Sequence, residues 1–177
     1  MSERVLVGIL MGSDSDLRVM AEAAATLDEF GVPHETVIAS AHRVPERVRH
    51  YAIDAPRRGI EVLIAGAGQA AHLAGVLAAH VTLPVIGVPL SGGRGGVMGG
   101  IDALLATVQM PPGIPVATVA VDGARNAALL AVSILAAAHP ERELYAKLAR
   151  YREQMGQAVD EKNARLQQLG PRGYQGS

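Results

Sequence analysis

The 177-residue chain has no cysteine and no tryptophan, and only one phenylalanine and four tyrosines. Without a thiol, disulfides, thiolate-bound metals and cysteine nucleophiles are excluded. With so few rings, stacking platforms for bases or flavins are scarce, and the core has to be built from Ala, Val, Leu and Ile. Charge of one sign is missing too: 16 Lys and Arg oppose 17 Asp and Glu, a formal net charge of −1. That balance leaves no electrostatic footprint for nucleic acid or an anionic membrane face. Long apolar runs are absent. The stretch from Val62 to Leu90 is nearly charge-free, but glycines, His72, His80, Pro84 and Pro89 interrupt it, whereas a spanning helix needs about 20 unbroken apolar residues. The apolar run near the N-terminus is only strand-long and ends in Gly12-Ser-Asp-Ser-Asp16, so no signal peptide is expected. These absences point to a soluble, cytoplasmic protein. The composition, 49% hydrophobic and 19% charged, excludes disorder and suffices for one ordinary domain.

Short β-branched apolar runs alternate with Ala-rich helical segments. Strands are expected over Val5–Met11, His34–Ala39, Val62–Ala67, Val85–Pro89 and Val116–Val121, all apolar on both faces as in a buried parallel sheet. Helices are expected near Asp16–Phe30, Pro45–Arg57, Ala70–His80, Ile101–Val108 and Arg125–Ala138. In the first, Leu17, Met20, Ala21, Ala24, Leu27 and Phe30 form a core-facing stripe, and Gly31 and Pro33 stop it. Five strands and intervening helices define an α/β fold, a flavodoxin-like three-layer α/β/α sandwich with parallel strand order 2-1-3-4-5. Residues 1–138 form the sheet domain. Residues 139–177 form a C-terminal helical extension with a sparse seam of Leu144, Leu148, Tyr151, Met155 and Val159. That extension packs on its own subunit or, the favoured expectation, on a neighbouring one, and the last eight residues read as frayed.

Ligands of such sheets bind beyond the carboxyl ends of the strands, so the loops there carry the functional reading. After strand 1, Gly12 permits a tight turn, and Ser13, Ser15 and Asp16 stand at a helix start. Exposed N–H groups and hydroxyls suit a phosphate, and the Asp16 carboxylate suits sugar hydroxyls. The same residues are also ordinary helix caps. After strand 2 come Ser40, His42 and Arg43, with Pro45 suited to the next helix's first turn. Arginine offers a fork to phosphate, and histidine moves protons near neutral pH, although a His-Arg pair on a loop can be merely solvated. After strand 3, Gly66 and Gly68 allow close ligand approach. His72, in the first turn of the next helix, either orients a carboxylate or carbonyl or is a structural histidine. The dinucleotide fingerprint fails at Ala71. The glycine-rich run from Leu90 to Gly100 can close over a ligand with Arg94 as a second anion contact, or it is a plain connector. Residues 106–113 form an apolar turn that can dry one side of a pocket.

Taken in order, Met11-Gly-Ser-Asp-Ser-Asp16, Ser40-Ala-His-Arg43, Ala65-Gly-Ala-Gly68, Ala70-Ala-His-Leu73, Leu83-Pro-Val-Ile-Gly-Val-Pro89, Val108-Gln-Met-Pro111, Gly113-Ile-Pro-Val-Ala-Thr118 and Asn126-Ala-Ala-Leu-Leu130 resemble the class I branch of the aminoimidazole ribonucleotide carboxylase family. The resemblance implies a homo-octamer with sites at subunit junctions and neither metal nor organic cofactor. It implies migration of a carboxylate from an exocyclic nitrogen to ring carbon C4 of a purine-pathway ribonucleotide. By position, Ser13, Asp16 and Arg43 would bind the ribose phosphate, with Gly12 and Ser15 beside them. Ser40, Gly68 and Leu73 would line the site, His42 would transfer protons, and His72 would sit near the migrating carboxylate. The chain differs from the family pattern at Val44 (usually Thr), Gln69 (usually Gly), Ala74 (usually Pro) and Ala103 (usually Ser), and its Arg94 loop is about three residues longer than usual. Direct carboxylation by CO2, a flavin-carrying module and a non-catalytic nucleotide-binding oligomer are the rival functions.

Overall fold

A computed structural model describes residues 4–92 and 98–174. Strands β1 (Val7–Met11), β2 (His34–Ile38), β3 (Val62–Gly68), β4 (Val85–Leu90) and β5 (Ala117–Thr118) form one parallel sheet in the order β2-β1-β3-β4-β5. The register pairs Val7 with both His34 and Val62, so β1 is an interior strand and β2 is an edge. Helices α1 (Leu17–Phe30), α2 (Pro45–Arg58), α3 (Leu73–Ala78) and α4 (Ile101–Val108) connect the strands, and α5 (Ala124–Ala138) and α6 (Leu144–Gly173) follow β5. The expected α/β class and strand order are those observed.

Each face of the sheet has its own core. Met11, Ile9 and Ile64 pack with Met20, Leu27 and Phe30 of α1, Leu135 of α5 and Leu144 of α6. Leu10 and Leu63 pack with Val48 and Ala52 of α2 and Leu73 and Leu77 of α3 on the other face. A fully buried Leu such as Leu63 contributes about 1.5–3 kcal/mol of transfer free energy. Ala124, Ala127, Ala128 and Ala131 are fully buried in α5.

Several boundaries and faces differ from expectation. β5 has two residues rather than six, and β2 is half-exposed, with Ile38 47% accessible. As edge strands they lack a covering neighbour on one side, so only β1 and β4 are buried throughout, with β3 buried up to its last two residues, Ala67 and Gly68. In α1 the buried face runs through Met20, Ala23, Thr26, Leu27 and Phe30, leaving Leu17 and Ala21 exposed. α3 is shortened to six residues, because Gln69 takes a left-handed backbone (φ +54°) and Ala71 and His72 bond back over only two residues. Gly66 does not admit a ligand: a Cβ there would collide with the Met20 side chain, so this glycine serves the core. The helix over 144–173 buries Leu144 and Leu148 and stacks Tyr151 tilted on Phe30 at 5.7 Å, while Met155 and Val159 are exposed. It runs into the segment expected to fray, as far as Gly173, and bends at Gly170; residues 175–177 of that segment lie outside the described residues. No helix among the described residues is long and apolar enough to cross a membrane.

Candidate active site

The carboxyl ends of all five strands open into one cavity of about 840 Å³. Its floor is laid by the β1 loop. Ser13, in extended conformation, caps the following turn. Asp16 Oδ2 accepts the Ser13 N–H at 3.0 Å, and Ser15 N–H reaches Ser13 Oγ at 3.4 Å. This is a capping box, so the capping reading and the lining reading are both realised by the same atoms. Burial pushes the Asp16 carboxyl up from its ordinary range, against the opposing pull of hydrogen bonds from Ser13 and Ser15 and the charge of Arg43. Gly12 is not in the left-handed region, and a Cβ there would meet only Asp16 Oδ2 at 3.8 Å. Its contribution is its carbonyl, which accepts the Arg43 guanidinium at 2.6 Å.

That bond ties the β2 loop to the β1 loop. Ser40 shapes the β2 loop, its hydroxyl accepting the Arg43 N–H at 3.3 Å and its carbonyl accepting the Val44 N–H at 3.0 Å. Val44 then stands at the N-cap of α2 with no side-chain cap, and Pro45 takes the first helical position. The turn presents His42 outward, and His42 Nε2 lies 2.9 Å from His72 Nδ1, the rings edge-to-face at 85°. Because β1 lies between β2 and β3, the two imidazoles meet across the end of β1. His72 occupies the N-cap of α3 rather than its first turn, without a side-chain bond to the helix backbone. Its partner is another imidazole, not a main-chain group.

The remaining wall comes from Ala67, Gly68, Gln69, Ala70 and Leu73 after β3, from Leu90, Ser91 and Gly92 after β4, and from Asp122 after β5. A Cβ on Gly68 would press on the Leu90 carbonyl at 3.3 Å, so this glycine lets the β3 and β4 loops approach. Gly12, Ser13, Ser15, Asp16, Ser40, His42, Arg43, Gly68 and Leu73 therefore share one cavity, and His72 joins it through His42. The apolar turn over 106–113 contributes nothing to the lining. Met110 faces Gly75 of α3 instead. Arg94 lies outside the described residues.

Asp122 and Gln69 were not anticipated as wall residues. Asp122 has φ +57° and accepts the Ser91 N–H at 2.9 Å, bracing the start of the glycine-rich segment. The Asp-Gly pair at the end of β5 was the available signal for a turn there. Among the described residues no group of three or more His, Asp or Glu is placed to hold a metal ion.

Chemically the arrangement divides in two. Hydroxyls, N–H groups and a guanidinium at the β1 and β2 loops suit a phosphorylated sugar. A hydrogen-bonded imidazole pair over the β1–β3 end suits proton transfer.

The AIR carboxylase family model matches residues 6–158. An N5-carboxyaminoimidazole ribonucleotide mutase of Pyrococcus horikoshii is 58% identical over 169 residues, covering 96% of this chain and 93% of that protein. A phosphoribosylaminoimidazole carboxylase of Ogataea methanolica is 57% identical over 139 residues, 78% of this chain but 25% of the carboxylase. The crystal structure of Treponema denticola PurE superimposes with a TM-score of 0.76 at 29% identity, covering 92% of this chain and 99% of that one.

Proposed function

The chain belongs to the AIR carboxylase family, and from that premise we infer that it is a mutase acting in purine biosynthesis. It moves the carboxylate of N5-carboxyaminoimidazole ribonucleotide from N5 to ring carbon C4. The observation that carries this reading is the match to a mutase over nearly the full length of both chains. The carboxylase is similar in sequence identity, but this chain accounts for only a quarter of it.

In the proposed site the ribose phosphate lies against Ser13, Ser15 and the Arg43 guanidinium, and Asp16 accepts from the sugar hydroxyls. The imidazole ring then extends toward His42 and His72. His42 donates a proton to N5. The N5–carboxyl bond breaks, giving CO2 and aminoimidazole ribonucleotide. C4 attacks the retained CO2, and the C4 proton returns to His42, so the histidine ends as it began. Retention of CO2 needs a small, dry compartment, and the Ala67, Gly68, Ala70 and Leu73 wall is apolar and close to the pair. The His42–His72 bond demands one donor and one acceptor, so the tautomers of the two rings are coupled before the substrate arrives.

The enzyme is proposed to be cytoplasmic and to self-associate as an octamer. Ile101, Leu105 and Val108 form one exposed apolar face on α4, each about half accessible, and Met155 and Val159 continue the α6 seam into solvent. These faces support the reading that residues 139–177 pack on a neighbouring copy.

The test is a spectrophotometric assay with N5-carboxyaminoimidazole ribonucleotide, and separately with aminoimidazole ribonucleotide plus and minus bicarbonate. Conversion of the first without bicarbonate is the expected result. Turnover only of the second, with bicarbonate, would make the chain a carboxylase.

A further inference from the structure

Arg18 lines the cavity together with Ser15, Asp16 and Val19. Ser15 and Arg18 stand three residues apart where the β1 loop runs into α1, a spacing that puts two side chains on one face. Side chains of a helix lean toward its N-terminus, so a residue covers the surface over the turn that precedes it. The turn that precedes Arg18 is Asp14–Asp16, part of the cavity floor. That lean carries a long side chain at position 18 back toward the two serines rather than along the outside of α1.

The neighbouring carboxylates do not take the Arg18 charge up. Asp14 Oδ1 accepts the Ser13 hydroxyl and the Ser15 N–H, both at 3.0 Å, and Asp16 Oδ2 accepts the Ser13 N–H at 3.0 Å, so the turn's own donors hold both side chains. Among the described residues the Arg18 guanidinium has no ion pair or hydrogen bond. Arg43 differs, since it already donates to the Gly12 carbonyl. A phosphate monoester carries about −1.5 to −2 charges at pH 7. The carboxylates of the cavity wall are Asp16 and Asp122, and its permanent cations are Arg18 and Arg43. With Arg43 alone the wall would repel such a dianion, and Arg18 restores the balance. We propose that Arg18 is a second phosphate-binding residue, its guanidinium closing on the phosphate from α1 while Arg43 holds it from the β2 loop. The identity of the nucleotide that carries this phosphate rests on the mutase reading of the same cavity.

The experiment uses the full chain with Arg18→Ala and Arg18→Lys. It measures melting temperature, calorimetric affinity for aminoimidazole ribonucleotide, for its unphosphorylated nucleoside and for ribose 5-phosphate, and KM and kcat with N5-carboxyaminoimidazole ribonucleotide. Arg18 is exposed, so Arg18→Ala should melt within about 2 °C of the wild type. It should bind the nucleotide and ribose 5-phosphate about tenfold more weakly, the scale of one hydrogen bond to a charged group. Its affinity for the nucleoside should stay within about twofold, and its kinetic loss should fall mainly on KM. Arg18→Lys keeps the charge without the fork and should recover part of the phosphate affinity. Added salt should narrow the gap between Arg18→Ala and the wild type. Unchanged affinity of Arg18→Ala for the nucleotide and for ribose 5-phosphate overturns the proposal, as does an equal loss for nucleoside and nucleotide. Wild-type turnover tests the mutase reading, whereas ribose 5-phosphate reports on Arg18 whatever base the natural substrate carries, so the two failures are distinguishable.

Discussion

His42 Nε2 and His72 Nδ1 lie 2.9 Å apart although 30 residues separate them in the chain. A bond between two imidazoles exists only while one nitrogen donates and the other accepts. Two doubly protonated rings would face each other with two hydrogens and like charge. The contact as observed therefore includes an acceptor nitrogen, and acid-base catalysis needs such a nitrogen.

Replacing His42 with Asn removes the proton carrier and keeps a polar side chain, one that stops short of the Nε2 position. Turnover is expected to fall by ~10²–10⁴, the usual contribution of a positioned acid or base, and further if the ring serves both steps. Nucleotide affinity, measured by calorimetry, should stay within a few-fold. Near-normal turnover would remove His42 from the mechanism.

Arg43→Ala should show the opposite kinetic pattern. The guanidinium crosses to the Gly12 carbonyl and stands beside the proposed phosphate position. Losing a charged hydrogen-bond donor costs about 1.5–3 kcal/mol, which corresponds to a rise in KM of about 10- to 100-fold. The maximal rate should move much less. A selective fall in kcat with KM unchanged would place Arg43 in the chemistry instead.

Glu35 sets an acid limit on stability. The Arg58 guanidinium donates to it at 2.7 and 3.0 Å and the Tyr51 hydroxyl at 2.7 Å. The Arg58 bonds above all hold its carboxyl below the ordinary value of 4.5, against the opposing effect of burial. A depressed carboxylate stabilises the fold above that ordinary value, and the contribution is lost as pH falls through the lower folded value. Glu35→Gln should therefore be less stable than the wild type at pH 7, and the difference should close as pH drops below 4.5. Denaturant titrations across that range measure it. A constant difference would show that packing, not charge, is responsible.

Val44→Thr is expected to stabilise the chain. Val44 caps α2 without a side-chain acceptor, and a hydroxyl at an N-cap is worth about 1 kcal/mol. For a chain of this size that is about 2–4 °C in melting temperature. No gain would mean that the backbone at Val44, φ −140° and ψ 57°, holds the hydroxyl away from the first helical N–H groups.

Much of this was legible in the letters. Alternation of β-branched runs with Ala-rich segments is a consequence of burying a parallel sheet under helices, so the class, the strand order and the loops that carry the cavity could be read. The Ser13–Asp16 and Ser40–Arg43 segments were found because turn and cap chemistry marks strand ends. What escaped was whatever depends on contacts between distant segments. Nothing local shows that Gly66 yields its space to Met20 rather than to a ligand. Nor do the apolar letters of 116–121 show that only Ala117 and Thr118 pair with β4. The left-handed turn at Gln69, which trims α3 and leaves His72 at its cap, runs against the preference of glutamine itself.

The placement of β1 has a consequence for biosynthesis. Val7–Met11 leaves the ribosome before either of the strands that flank it, yet it lies inside the sheet, between His34–Ile38 and Val62–Gly68. Emergence of β2 covers one flank only, and the other stays bare until translation has passed residue 68. A nascent polypeptide halted before that point carries an apolar strand with at least one edge unpaired and lacks the β3, β4 and β5 sides of the cavity, so truncated products of this gene are candidates for chaperone capture rather than for residual catalysis.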